Sequence, residues 1–151
     1  MSEWIPIGTV RAPVTEMSLG NWAAVDSEIH LDPRYAGGLA GLEEYSHAIV
    51  VFLLDQVSGF DPAKQLLRKP RGKEHLRAVG VFAQRTKYRP NPIGVTAVKL
   101  RGVSGNVVKV TGLDALDGTP VLDLKPYIPE FDRVAEPATP GWVKDFMEGY
   151  F

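Results

Sequence analysis

The sequence of 151 residues contains no cysteine, which excludes disulfides, thiolate metal sites and cysteine nucleophiles together. It has no signal-peptide h-region, and its longest apolar run is Ala48 to Leu54, far short of a membrane span. These absences predict a soluble, intracellular chain acting in the cytoplasm, without a membrane partner. A Rossmann glycine fingerprint and a P-loop are both missing, so a nucleotide cofactor has to be held in some other way. No Gly-x-Ser-x-Gly motif provides a serine nucleophile. No His-x-x-x-His pairing supports a transition metal, and Asp114, Asp117 and Asp123 read as turn carboxylates capping backbone amides rather than as a metal set. A lone histidine signals little; His30 reads as a half-exposed strand residue and His47 as a boundary residue.

What the chain does have is turns: 12 prolines and 15 glycines favour short elements over long helices. Its length predicts one domain over residues 1–151. Ile5 to Ala12 reads as a first strand, bounded by Pro6 and Pro13, and Thr15 to Trp22 as a polar connection. Ala24 to Leu31 alternates, with Val25, Ser27, Ile29 and Leu31 on one face and Asp26, Glu28 and His30 on the other. Tyr35 to Leu42 suggests a short helical turn, and Ala48 to Leu54 a buried strand. Ala63 to Lys69 fits either a short helix or an edge strand, and Val79 to Ala83 reads as a strand. Gly94 to Arg101 alternates again, and Ser104-Gly105-Asn106 turns the chain into Val107 to Thr111. Asp117-Gly118 marks another tight turn before a strand through Val121 to Leu124. Thr139 as N-cap and Pro140 as first helical residue predict a terminal helix over about 139–150, with Trp142, Phe146, Met147 and Tyr150 on its apolar face. The fold class is therefore mainly β, a sandwich or barrel of short strands with a few short helices.

Charge is distributed unevenly. Between Lys64 and Arg101 there are eleven basic residues against one acid, Glu74, although the net charge is only −1. Such a block is the footprint of a phosphate-bearing partner, or a face whose cations pair with the acidic remainder after folding. Within it, Pro90 and Pro92 stiffen a loop bearing Arg85, Lys87, Arg89 and Asn91. An aspartate-rich turn follows, with Asp114, Asp117 and Asp123 leading to Lys125 and Tyr127. A cationic loop beside an acidic turn suits a zwitterion, its carboxylate or phosphate near Arg85 or Arg89 and its amine or sulfonium near Asp117 or Asp123. S-adenosylmethionine has this charge pattern, as do other zwitterions.

The segments GVFAQRTKYRPNPIG and LDALDGTPVLDLKPYIP resemble the signature of the TsaA-like (TrmO, formerly YaeB) family, and Ile7-Gly8 and the stretch from Gly38 to His47 match it too. The resemblance implies a single-domain β-barrel that binds S-adenosylmethionine, works as a homodimer with ligand near the subunit interface, and methylates N6 of threonylcarbamoyl-adenosine 37 in tRNA. It carries cofactor contacts onto Arg85, Val95 and the stretch Asp114, Asp117, Gly118, Thr119 and Pro120. Arg89 and Asn91 lie in the same signature. Asn21 and Trp22 stand where many members have Pro-Arg-Gln, and Asp55-Gln56 where they have His-Lys, so these four also count as cofactor-site positions at which the substrate could differ. The chain reads as the short form, without the additional C-terminal domain of longer bacterial members.

On this reading the segment 64–101 meets tRNA phosphates, and Tyr88 and Tyr127 are candidates for stacking on a splayed base. Asp117 is the candidate base for the exocyclic amine, with Tyr127 beside it as a second catalytic candidate. The rival readings are a methyltransferase of the same fold with a small-molecule or other RNA substrate, and a non-catalytic module that binds S-adenosylmethionine or RNA.

Overall fold

A computed structural model describes residues 3–16 and 20–151. Six strands close into an antiparallel barrel: β1 (Gly8–Arg11), β2 (Asp26–Leu31), β3 (His47–Leu53), β6 (Ile93–Ser104), β7 (Val107–Thr111) and β8 (Pro120–Pro126). Around the barrel they run in the order β1-β2-β7-β6-β3-β8, and β8 returns to β1. A separate two-stranded ribbon pairs β4 (Leu67–Arg68) with β5 (Val79–Gly80). Closure leaves the barrel no unpaired edge. Two bulges bend the wall: Arg101 is the extra residue of β6 opposite β7, and Leu122 the extra residue of β8 opposite β3.

The interior follows from the period of two. Ser27, Ile29 and Leu31 of β2 point inward and Asp26, Glu28 and His30 outward, as the alternation predicts. From the other strands come Val10, Ala48, Val50, Phe52, Val98, Val108, Val110 and Val121, all almost completely buried. Each fully buried aliphatic side chain contributes roughly 1.5–3 kcal/mol relative to exposure. The apolar run of β3 is continuous because its outward residues Ile49, Val51 and Leu53 are themselves half-buried. Gly94 faces Phe52 so closely that a Cβ there would overlap the ring.

Several boundaries shift from those the sequence predicts. The first strand begins at Gly8 and not at Ile5, which is exposed. Ala63 to Lys69 becomes both alternatives in succession: one helical turn, α1 (Pro62–Gln65), capped by the Asp61 side chain, then β4. The strand expected over Val79 to Ala83 stops at Gly80, and Val81–Ala83 form a 3-10 turn. The cause is Arg89, which draws in the carbonyls of Val81 and Gln84. After the short α2 (Pro129–Asp132), the terminal helix α3 spans Trp142–Met147. It starts after Gly141, without a side-chain cap from Thr139.

Candidate functional site at the barrel mouth

Antiparallel closure gives the barrel two unlike ends. At one, here the mouth, lie the connections 12–25, 54–92 and 112–119. At the other lie the connection 32–46, the two-residue hairpin turn at Gly105-Asn106 and the exit from β8. The residues predicted for the site fall on the mouth connections or at the strand ends beside them: Asn21 and Trp22 before β2, Asp55 and Gln56 after β3, Arg85, Arg89 and Asn91 before β6, Val95 near its start, and Asp114 to Pro120 between β7 and β8. Tyr127 is the exception. It follows β8 at the opposite end, where its N–H donates to the His47 carbonyl (3.0 Å) and its ring meets His47 edge-on. Seven strand residues at about 3.3 Å each put about 20 Å between it and the Asp117 turn. Within one protomer Tyr127 and Asp117 therefore do not form a catalytic pair.

The two arginines of the stiff loop have different duties. Arg89 Nη1 donates to the carbonyls of Val81 (2.8 Å) and Gln84 (2.7 Å), so this guanidinium staples its own loop. Arg85 is exposed, and among the described residues its one hydrogen bond is a long one to the Val95 carbonyl at 3.5 Å. That weak bond leaves most of its five donors for an anion. Asn91 is exposed, and Val95 stands half-exposed on the outer wall opposite Val51 of β3.

The aspartate turn is held from three sides. Asp114 Oδ1 accepts from the buried Thr96 hydroxyl (2.5 Å), and Asp114 Oδ2 accepts from the Tyr150 hydroxyl. Asp117 Oδ1 accepts the Ala12 N–H (3.0 Å), the amide-capping role its turn position predicts. Its Oδ2 has no hydrogen bond among the described residues. Gly118 takes φ 86°, a left-handed geometry that glycine adopts without strain. Thr119 is buried, and Pro120 starts β8 beside Thr9. Asp123 is instead paired with Lys125 at 2.8 Å, and that hydrogen bond and charge raise the lysine's pKa.

Trp22 is 2% exposed, so its indole packs inside and presents no open face to a ligand. Asn21 precedes it at φ 64°. Residues 17–19 of the connection expected from Thr15 to Trp22 lie outside the described ones. Asp55 and Gln56 are exposed on the turn after β3. Thr96 and Tyr150, and Arg71 behind Tyr150, were not legible as partners of this turn: Thr96 is one member of an alternating strand, and the other two lie far from Asp114 in the chain. Burial, then the hydrogen bond and charge of Asp114, push the Tyr150 hydroxyl well above the ordinary phenol range, and Arg71 opposes this.

Folding also spends part of the basic segment internally. Arg68 lies 3.8 Å over the Tyr88 ring with Lys87 at 5.3 Å, so Tyr88 is partly covered as a stacking platform. Lys69 pairs with Glu74, and Arg71 covers Phe146. Lys73, Arg77, Lys99 and Arg101 remain exposed, without ion pairs among the described residues. A cavity of about 600 Å³ opens beside Asp117, lined by Arg11, Asp26, Ser27, Glu28, Arg101 and Lys109 among others. It includes none of the other predicted site residues. Among the described residues no cluster of three or more His, Asp or Glu could hold a metal, and no helix is long and apolar enough to cross a membrane.

Fold and mouth together define a class: a closed six-stranded antiparallel barrel whose polar loops gather at one end with an aspartate turn and an exposed arginine. The chain belongs to the TrmO family; residues 17–133 match the tRNA-methyltransferase O N-terminal domain. A probable S-adenosyl-L-methionine-binding protein of Pyrococcus abyssi is 39% identical over 144 residues, which covers 92% of this chain and 74% of the relative. The tRNA (adenine(37)-N6)-methyltransferase of Escherichia coli is 38% identical over 136 residues, covering 82% of this chain and 56% of that one. The crystal structure of TrmO from Pseudomonas aeruginosa superposes with a TM-score of 0.75 at 32% identity, covering 93% of this chain and 62% of that one. The chain thus spans less than two thirds of the length of these last two proteins.

Proposed function

We propose that this chain is an S-adenosylmethionine-dependent methyltransferase acting on N6 of adenosine 37, in its threonylcarbamoyl form, in tRNA. Family membership and the S-adenosylmethionine-binding relatives support the cofactor. The Escherichia coli and mouse relatives, each a tRNA (adenine(37)-N6)-methyltransferase by name, support the acceptor. The observation that carries the reading is the placement at one barrel mouth of Arg85, whose one hydrogen bond among the described residues is a long one, and of Asp117, with Oδ1 anchored and Oδ2 without a hydrogen bond among the described residues. The residues fit the group: Arg85 would take the methionyl carboxylate, and the turn from Asp114 to Pro120 with Asp55, Gln56, Asn21 and Val95 would surround the remainder. Exposed Asn91 would join the cofactor contacts, while Arg89 and Trp22 would contribute by holding the loops in place. Bound there, S-adenosylmethionine supplies an already activated methyl group.

The main task of the protein is then to place donor and acceptor in line. Held by Arg85 and the turn from Asp114 to Pro120, the cofactor would supply the methyl without its bonding pair, which would stay on sulfur, to the lone pair of the acceptor nitrogen. The proton lost from the amine passes to Asp117 Oδ2, which Ala12 orients through Oδ1. The exposed cations Lys73, Arg77, Lys99 and Arg101 would meet tRNA phosphates, and a homodimer would carry two such mouths. Transfer of labelled methyl into bulk tRNA, followed by nucleoside digestion and mass analysis, tests the reading. Label in N6-methylated threonylcarbamoyl-adenosine is the expected result. Cofactor binding without label in any RNA would favour a small-molecule acceptor or a non-catalytic module.

A further inference from the structure

Two of the three mouth connections, 12–25 and 112–119, bond each other directly: Ala12 N–H donates to Asp117 Oδ1, and the Asp117 and Gly112 N–H groups donate to the carbonyls of Val14 (2.8 Å) and Val25 (3.0 Å). All three are tied further by the end of the chain, which leaves β8 at the opposite end, runs exposed through residues 129–141, and returns to the mouth. There it touches each connection in turn. On the connection 12–25, the N–H groups of Asn21 and Trp22 donate to the carbonyls of Gly149 (2.7 Å) and Tyr150 (2.9 Å). A Cβ on Gly20 would collide with the Gly149 carbonyl, so this approach requires glycine. On the connection 54–92, Arg71 Nη1 donates to the Phe146 carbonyl (2.7 Å), and its guanidinium lies 3.8 Å over the Phe146 ring and 5.2 Å from that of Tyr150. Arg71 holds φ 49° to do so, a left-handed conformation that costs a non-glycine residue energy. On the connection 112–119, the Tyr150 hydroxyl donates to Asp114 Oδ2.

We propose that Tyr150 is a positioning residue for the ligand mouth, holding the Asp114 carboxylate between itself and Thr96 so that its remaining lone pairs face the hydroxyl or amine donors of a nucleoside. A carboxylate offers about four acceptor sites. Thr96 and Tyr150 use one on each oxygen, which fixes the rotamer and leaves one on each for a ligand. A nucleoside diol or exocyclic amine is the group that two such fixed acceptors recognise. The inference rests on the S-adenosylmethionine reading above, because that cofactor carries the nucleoside.

The test is calorimetric titration of S-adenosylmethionine into wild type, Tyr150→Phe, Asp114→Asn and the double variant. Phenylalanine keeps the ring that Arg71 covers and removes only the donor. Tyr150→Phe is expected to weaken binding roughly tenfold and to add nothing once Asp114 is changed, since both act through one carboxylate. A Tyr150→Phe protein that binds as wild type does, or an equal loss in both Asp114 backgrounds, would overturn the positioning role. A second variant ending at Gly141 is expected to bind at least as weakly as Tyr150→Phe. If it binds more tightly than wild type, the segment blocks the mouth and does not build it. Wild-type protein that takes up no S-adenosylmethionine would remove the functional reading itself, an outcome distinct from the variants matching a wild type that binds.

Discussion

The two ends of this barrel are built by opposite means. At the hairpin end the chain reverses through Gly105-Asn106, with Gly105 at φ 61° and the Asn106 amide donating to the Leu31 carbonyl (2.6 Å). The reversal itself is local and specified by the residues at the turn, while the Asn106 side chain reaches across to β2. At the mouth, loops from distant parts of the chain are held by side chains reaching to backbone: Arg89 to two carbonyls, Asp117 to an amide, Arg71 to the terminal segment. Binding sites concentrate on loops carried by a rigid frame. The mouth differs from a mobile loop cluster in that these side chains add to backbone bonds between its segments, such as those from the Asp117 and Gly112 N–H groups to the Val14 and Val25 carbonyls.

The difference can be broken most sharply at Arg89. Replacing it with alanine leaves the Val81 and Gln84 carbonyls without their charged donor, and we expect a loss of roughly 2–3 kcal/mol in denaturant unfolding, accompanied by loss of cofactor binding as the loop opens. Arg85→Ala should give the contrasting result on the same loop: an unchanged melting temperature with S-adenosylmethionine binding weakened about tenfold or more. Equal thermal shifts for the two arginines would abolish the division of labour between them. At the hairpin end, Asn106→Ala should cost about 1 kcal/mol and leave cofactor affinity untouched; a change in affinity would show that the ends are coupled.

The smallest effect lies with Tyr150 and alkaline pH. Its native pKa is raised above the unfolded value of about 10, so its contribution to stability is complete below that pH. That contribution is lost as pH rises from there through the native value, because the unfolded chain releases the proton first. The stability advantage of wild type over Tyr150→Phe should therefore hold steady through neutral pH and shrink above about pH 10, as read by denaturation at a series of pH values. An advantage that grows with pH would contradict the raised pKa.

Some of this was legible because it depends on neighbours in sequence. The faces of β2, the hairpin after β6, the Asp117-Gly118 turn and the family signature all lie in contiguous residues. Other features were not legible for identifiable reasons. Val79 to Ala83 has strand composition, yet Arg89 pulls it into a turn from outside the segment. Arg85 and Arg89 look equivalent in a string of cations and differ only in what surrounds them. Tyr127 follows the aspartate turn closely in the chain, but an intervening strand carries it to the far end of the barrel.

The sequence by itself determined the mainly β class, most strand positions, the inward face of each alternating strand and the family, since periodicity, turn chemistry and contiguous motifs are properties of the chain alone. Its strand pattern left sandwich and barrel as alternatives, and the family resemblance implied the barrel. Only the tertiary structure closed the sheet by pairing β8 with both β1 and β3, set two bulges in the wall, and placed Thr96 and Tyr150 on the same carboxylate. The reason is physical: closure and side-chain partnership depend on distances between residues far apart in sequence, and a local pattern carries no such distance.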